Sequence, residues 1–145
     1  MMKFIWKQKS QGIDDAFSVR QTVFIDEQGF RDEFDLIDDT AHHLVALDDD
    51  KPVGVARIFI EHEGEWHIGR VAVLKEYRGT GLGTKIMQKI HAKIYELDGK
   101  KAVLSAQCRA SYFYEKLGYK KEGEIYLDEY CEHIKMVRDI LPLDE

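Results

Sequence analysis

Cysteine, proline and long apolar runs are all scarce in this chain of 145 residues. It has two prolines and two cysteines, Cys108 and Cys131, so we expect no disulfide framework and a reducing, cytoplasmic setting. These cysteines and the histidines also lack the spacing of a metal site. No apolar run approaches the roughly 18 residues of a membrane span, and no signal-peptide pattern is visible. The sequence therefore predicts one cytoplasmic domain, residues 1–145, with no metal and no membrane partner.

Positive charge is also scarce outside one part of the chain, and the net charge is −6. Residues 68–121 contain 12 Lys/Arg and 4 Asp/Glu, whereas the remainder contains 9 Lys/Arg and 23 Asp/Glu. This asymmetry suggests that the basic part meets an anion and that the acidic part attracts a cation. An acidic chain without a continuous basic stripe lacks the electrostatic footprint of nucleic-acid binding, so we expect no nucleic-acid partner.

What the sequence does contain is a glycine-rich turn between a β-rich run and a helical pattern. Gly79, Gly81 and Gly83 leave no side chains over the turn, so main-chain N–H groups can approach a ligand closely. The start of the following helix carries unpaired N–H donors and a partial positive charge, which together favour a phosphate. A P-loop is excluded because no lysine directly follows the last glycine, and a dinucleotide fingerprint because the ribose-binding acid is missing.

Hydrophobic periodicity predicts an alternating order of strands and helices. Apolar residues recur at three- or four-residue spacing over 13–28 and from Leu82 to Leu97, which predicts two helices. The order β-α-β-β-β-α-β-α-β-β is typical of an α/β (α+β) fold with a mixed sheet and helices on both faces. The acid-rich residues 31–40 are expected to form a loop or short helical turn that could cover a site. The other predicted elements are strands at 4–6, 42–48, 52–61, 65–74, 101–107, 119–126 and 132–138, and a helix at 109–117.

Two motifs in this order resemble the GNAT superfamily of N-acetyltransferases. The first is R-x-x-G-x-G, read at Arg78, Gly81 and Gly83, and the second is the segment 111–119, which ends in Leu-Gly-Tyr. Further stretches, at 19–28, 68–71, 104–107 and 133–136, resemble the ElaA-like branch, so that the similarity covers nearly the whole chain. The resemblance implies the GNAT acyl-CoA N-acyltransferase fold, in which the fourth and fifth strands splay to admit the pantetheine arm.

The resemblance also implies acetyl-CoA as co-substrate and a set of main-chain contacts to it. The glycine-rich loop would hold the diphosphate, and the strand before it would pair with the pantetheine as an added strand does. The implied coenzyme-binding residues are Val71, Ala72, Val73, Arg78, Gly79, Thr80, Gly81, Leu82, Gly83 and Thr84.

Tyr114 and His67 are the catalytic residues that we expect. Tyr114 matches the family's tyrosine that protonates the departing sulfur, a task that suits a phenol with a pKa near 10. His67 lies where several GNAT members carry a base, and an imidazole suits the deprotonation of an ammonium. A regular strand would place His67 on the same face as Val71 and Val73, whereas a β-bulge would reverse that relation. Glu27 and His133 stay open as alternative bases.

Four residues match ElaA-like positions that we expect near the acceptor pocket: Arg20, Glu27, Gln28 and His133. Arg20 interrupts an otherwise apolar helical stripe, so it either pairs with a buried carboxylate or points into a pocket.

These residues together predict direct acetyl transfer from acetyl-CoA to a primary amine of a small molecule or peptide. The resemblance is also compatible with a homodimer. Two alternatives stay open: an acyl-homoserine-lactone synthase, because an R-x-x-V-F stretch followed by acids occurs in those proteins too, and a non-catalytic CoA-binding regulatory module.

Overall fold

A mixed sheet of seven strands organises the described part of the chain. The computed structural model describes residues 1–31 and 34–140. The strands follow the spatial order β1-β2-β3-β4-β5-β7-β6, and neighbouring strands are antiparallel except for β4 and β5. The predicted element order is therefore confirmed. The strands are β1 Met2–Lys7, β2 His42–Asp48, β3 Lys51–His62, β4 Glu65–Val73, β5 Lys101–Gln107, β6 Lys120–Asp128 and β7 Cys131–Asp139.

Three α-helices and several shorter turns join the strands. The helix predicted over 13–28 is composite: α1 runs from Asp14 to Arg20 and continues directly into a π-helix, Gln21–Glu27, called the π segment below. In the acid-rich stretch, Leu36–Asp39 form a 3₁₀ turn, and residues 32–33 lie outside the described residues. The remaining α-helices are α2 Leu82–Glu96 and α3 Ser111–Lys116, and the remaining 3₁₀ turns are Lys9–Gln11, Lys75–Tyr77 and Cys108–Ala110.

Helix α2 packs one apolar stripe on the sheet, as its periodicity predicts. Leu82, Ile86, Ile90 and Ile94 are all buried. Gly54 of β3 makes room for this contact, since a Cβ there would lie 2.8 Å from Cδ1 of Ile86. The stripe fixes the position of the glycine-rich loop at the start of α2 relative to β4.

Strands β4 and β5 separate halfway along their length. Their parallel pairing runs from Glu65 opposite Lys101 to Ile68 opposite Leu104 and ends there. Both strands continue beyond that point, β4 to Val73 and β5 to Gln107. The sheet therefore opens into a wedge whose two edges carry main-chain hydrogen-bonding groups.

Strand β4 contains a β-bulge at the mouth of this wedge. Val55 of β3 pairs with Ala72, whereas Arg57 pairs with Gly69, so that one residue of β3 faces two residues of β4. Arg70 has φ 54°, a left-handed conformation that a non-glycine residue adopts rarely.

The bulge decides between the two faces that the sequence left open for His67. Val73 lies opposite Gly54, where a side chain would point toward Ile86 of α2. His67 lies opposite Phe59, two residues from Arg57, which bonds to Asp38 beside α1. Because directly opposed residues share a face, His67 lies on the α1 side of the sheet and Val73 on the α2 side. The β-bulge, one of the two sequence alternatives, is the one found.

Candidate active site

A cleft of about 710 Å³ occupies the wedge between β4 and β5. Its walls come from these two strands, the π segment, α3 and the turn between β6 and β7. Concave sites of this size are typical of small-molecule and cofactor binding. The cleft brings together seven of the residues predicted from sequence: Glu27, Gln28, His67, Val71, Arg78, Tyr114 and His133.

The glycine-rich loop leaves the cleft at Arg78 and leads into α2. Gly79 and Gly81 have φ 77° and 87°, conformations that strain any residue with a side chain. Gly81 is the N-cap of α2 and has no side chain that could bond to the first N–H groups of the helix. The N–H of Lys85 donates to the Gly81 carbonyl at 3.1 Å. The earlier N–H groups of the helix are therefore available to an anion.

Arg78 is held by Glu27 across the cleft. Its Nη1 donates to Glu27 Oε2 at 2.6 Å and its Nη2 to Oε1 at 2.8 Å, while its Nε donates to the carbonyl of Val73 at 3.0 Å. Hydrogen bonding from Arg78 lowers the pKa of Glu27. Such a bidentate arrangement is the strongest form of the arginine–carboxylate contact.

The end of the π segment carries Glu27 and Gln28 to the cleft. Gly29, with φ 78°, ends the segment in the left-handed conformation common after helices. The Gln28 side chain accepts a hydrogen bond from Gln107 Nε2 at 2.9 Å, and Gln107 Oε1 accepts one from Arg109 Nε at 2.8 Å. These polar side chains join the π segment to the end of β5. π-Helical turns are often found at functional sites.

Tyr114 of α3 lies in the cleft wall. Its ring makes an edge contact with Tyr119 at a centroid distance of 5.9 Å. Burial raises the pKa of Tyr114 to about 12, so its hydroxyl stays protonated at neutral pH. A phenol in this state can donate a proton or a hydrogen bond, and it does not serve as a base.

His67 is oriented by two neighbours. Its Nδ1 lies 2.8 Å from Oε1 of Glu61, and its ring stacks on Phe59 at a centroid distance of 5.0 Å. Burial lowers the pKa of His67, although the nearby Glu61 carboxylate acts in the opposite direction. With Nδ1 donating to the carboxylate, Nε2 of the neutral ring is the atom that can accept a proton.

His133 of β7 is the second histidine of the cleft. It is 6% exposed, and its Nδ1 donates to the carbonyl of Cys131 at 2.9 Å. The ring stacks on Tyr126 and meets Phe30 edge-on. This ring is therefore held firmly in the same tautomer as that of His67.

The turn between β6 and β7 covers one end of the cleft. Both carboxylate oxygens of Glu129 accept from the N–H of Arg31 at 3.1 Å, and Tyr130 stacks on Phe30 at 5.4 Å. Asp128, Glu129 and Tyr130 all line the cleft, and none of them was predicted as a site residue. The available signal was an acidic and aromatic run at the tip of a predicted hairpin.

Comparisons with known proteins agree with this geometry. A family described as "Acetyltransferase (GNAT) domain" matches residues 8–140. The chain is 33% identical over 141 residues to the uncharacterized N-acetyltransferase YjcF of Bacillus subtilis (strain 168), covering 95% of this chain and 100% of that protein. The chain belongs to the GNAT acetyltransferase family.

Solved structures with the same fold are also similar to this chain. Escherichia coli ElaA has a TM-score of 0.86 at 26% identity, over 95% of this chain and 99% of ElaA, which confirms the resemblance to ElaA. A CoA-dependent acyl-homoserine lactone synthase, BjaI, has a TM-score of 0.85 at 15% identity, over 99% of this chain and 86% of that one. At that identity the likeness shows the fold alone.

GNAT proteins use acetyl-CoA or another acyl-CoA as donor, and the residues of this cleft fit such a molecule. The wedge offers unpaired strand edges to an extended chain. Arg78 and the start of α2 offer positive charge and N–H donors to a diphosphate. In the described parts of the chain, no group of three or more His, Cys, Asp or Glu side chains could hold a metal, and no helix is long and apolar enough to cross a membrane.

Arg20 is not part of this GNAT cleft, which corrects the expectation that it binds the acceptor. It is 1% exposed and pairs with Asp38, from Nη1 to Oδ1 at 2.8 Å and from Nη2 to Oδ2 at 3.1 Å. Asp38 also accepts from Arg57 Nη1 at 2.8 Å. The pairing with a buried carboxylate, one of the two sequence alternatives, is the one found.

The remaining predicted coenzyme-binding residues lie beside the cleft and do not line it. Ala72 is buried in the core, and the carbonyl of Val73 is bonded to Arg78. The side chain of Thr80 donates to the carbonyl of Tyr77 at 2.5 Å. The others of this group are the loop and helix-start residues Gly79, Gly81, Leu82, Gly83 and Thr84.

Proposed function

We propose that this GNAT protein is an acetyl-CoA-dependent N-acetyltransferase that acts on a primary amine of a small molecule or peptide in the cytoplasm. The observation that carries the proposal is the coincidence of three features at one cleft. These are the separation of β4 from β5, the start of α2 beside Arg78, and a phenol and two histidines that line the same cleft.

The donor is held by main-chain groups. In this proposal the N–H groups from Gly79 to Thr84 contact the diphosphate of acetyl-CoA, and the pantetheine lies along the edge of Val71–Val73 that no longer pairs with β5. A main-chain N–H at the bulge would polarise the thioester carbonyl as the oxyanion develops. Since these contacts come from the backbone, they depend on the loop conformation more than on side-chain identity.

The reaction is a direct transfer in a ternary complex. The amine nitrogen attacks the thioester carbon, a C–N bond forms and the C–S bond breaks. Nε2 of His67 accepts the proton that the amine loses, and the Tyr114 hydroxyl protonates the departing thiolate. The lowered pKa keeps His67 neutral and the raised pKa keeps Tyr114 protonated at neutral pH, which are the starting protonation states that these two roles need.

The acceptor end of the cleft favours a cation. Glu27, Asp128 and Glu129 contribute carboxylates there, and Gln28 and His133 can bond to the incoming amine. Phe30 and Tyr130 add apolar surface at the same end.

Two measurements test this proposal. Saturating acetyl-CoA should raise the melting temperature of the wild type, and Arg78→Glu should remove the rise. A screen for thiol release over polyamines, amino acids, aminoglycosides and peptide N-termini should then find an acceptor. No thermal shift would contradict the coenzyme site, and a shift without thiol release from any amine would instead support a CoA-binding regulatory module.

A further inference from the structure

The Arg78–Glu27 pair joins residues from the two ends of the proposed site. Arg78 belongs to the loop that precedes α2, whereas Glu27 is the last residue of the π segment. The two side chains are similarly accessible, at 40% and 38% exposure, and both line the cleft. Each of them therefore stands where a ligand can reach it.

The carboxylate of Glu27 occupies the N–H groups of Arg78 to which a diphosphate would bind. Both terminal nitrogens donate to Glu27, at 2.6 and 2.8 Å, and Nε donates to a carbonyl. A phosphate prefers the same fork of two parallel N–H groups that a carboxylate takes. A diphosphate at this loop and the carboxylate of Glu27 therefore compete for one guanidinium.

The surroundings of Glu27 determine where its carboxylate goes when it is displaced. The residue ends a helix, and Gly29 follows it closely with φ 78°. The same cleft holds the carboxylates of Asp128 and Glu129 and the guanidinium of Arg109, and the charges of Lys75 and Arg109 act on Glu27 besides that of Arg78. A released Glu27 keeps its negative charge in the cleft, where a cation can reach it.

We propose that Glu27 couples the binding of the two substrates. It holds Arg78 in the free protein, and when the diphosphate of the coenzyme takes Arg78, the released carboxylate binds the cationic acceptor. This inference rests on the proposed function and adds a reciprocal coupling to it, because a cation that binds Glu27 would equally release Arg78. Glu27 is then a positioning residue toward the donor and a binding residue toward the acceptor.

Binding of CoA, without an acetyl group, measures the competition by titration calorimetry. Glu27→Gln removes the competing charge and should tighten CoA binding by about two- to five-fold, the range expected for loss of an exposed ion pair. In an Arg78→Gln background the same change should have no effect, because the contested group is absent. Asp26→Asn is the matched control: it removes one charge from the adjacent exposed residue, whose Oδ1 accepts from Gln21, and should leave CoA affinity unchanged.

Three results would overturn the inference. Weaker CoA binding by Glu27→Gln would mean that Glu27 orients Arg78 for the phosphate. Equal tightening in the Arg78→Gln background, or with Asp26→Asn, would mean a general charge effect. Absence of CoA binding to the wild type would refute the proposed function and this inference with it, whereas the other two results refute the inference alone.

A spectroscopic readout follows the carboxylate itself. Glu27 has a lowered pKa because of Arg78, with Lys75 and Arg109 contributing in the same direction. Carbon-13 NMR of labelled glutamate should show the pKa of Glu27 rising when CoA binds, since the carboxylate loses its partner and gains an anionic neighbour. An unchanged titration of Glu27 in the CoA complex would contradict its release.

Discussion

Asp38→Asn should destabilise the protein strongly, because Asp38 is the anion that two buried arginines share. Arg20 and Arg57 approach its carboxylate at 2.8 to 3.1 Å, and the three side chains are between 1% and 4% exposed. Burial opposes ionisation of Asp38, but the bonds from the two arginines outweigh it and lower its pKa to about 2. Relative to an ordinary pKa of 3.8, that shift corresponds to about 2 kcal/mol.

The substitution costs more than that shift, because it leaves two buried cations with less compensation. Breaking a buried ion pair typically costs about 3 to 5 kcal/mol. Asp35 still accepts from Arg57 at 2.6 and 3.0 Å, so we expect the lower end, about 3 kcal/mol. For a chain of this size the melting temperature should fall by roughly 6 to 12 °C.

Urea unfolding followed by circular dichroism measures the change in the free energy of unfolding. The control is Asp39→Asn, which removes the adjacent, exposed carboxylate that pairs with Lys9 and should cost less than about 1 kcal/mol. The pH dependence of the free energy of unfolding has a definite sign, because the pKa of Asp38 is lowered in the folded protein. The stabilisation by Asp38 is complete above about pH 4 and is lost as the pH falls toward 2. A loss below about 1 kcal/mol for Asp38→Asn would refute the reasoning that the arginines depend on this anion.

Three further predictions test the catalytic roles and the packing. Tyr114→Phe should lower kcat by about 100-fold or more without changing the CoA dissociation constant, and unchanged turnover would remove Tyr114 from the mechanism. In the wild type, kcat/KM should fall below pH 6.5, because burial lowers the pKa of His67. His67→Gln should abolish this fall, whereas His133→Gln should retain it. The reverse result would exchange the roles of the two histidines. Gly99→Ala should cost about 1 to 3 kcal/mol in urea unfolding, because its Cβ would lie 2.4 Å from Ile94 Cγ2, and a smaller loss would show that α2 can shift.

The fold was predictable because its signals are local and periodic. The apolar stripe from Leu82 to Ile94 predicts the central helix. The glycines before it predict the loop, whose backbone conformation would be strained for any residue with a side chain. The family resemblance supplied the separation of β4 from β5, which no residue pattern indicates by itself. The paired strands confirm the order of elements and show where the wedge begins.

The site was predictable only in part, because side-chain direction depends on irregularities that the sequence does not reveal. The face of His67 depended on a bulge whose marker is the left-handed Arg70, a residue that gives no such signal in sequence. The direction of the Arg20 side chain depends on its ion pair with Asp38, which lies 18 residues away in sequence. Glu129 and Tyr130 enter the cleft only because a hairpin tip folds onto Phe30 and Arg31.

A crystal structure of the CoA complex tests the central claim most directly. The account predicts the diphosphate within about 3 Å of main-chain nitrogens in the stretch from Gly79 to Thr84, with the pantetheine arm between β4 and β5. A nucleotide bound elsewhere on the molecule, with the wedge closed to it, would contradict the account.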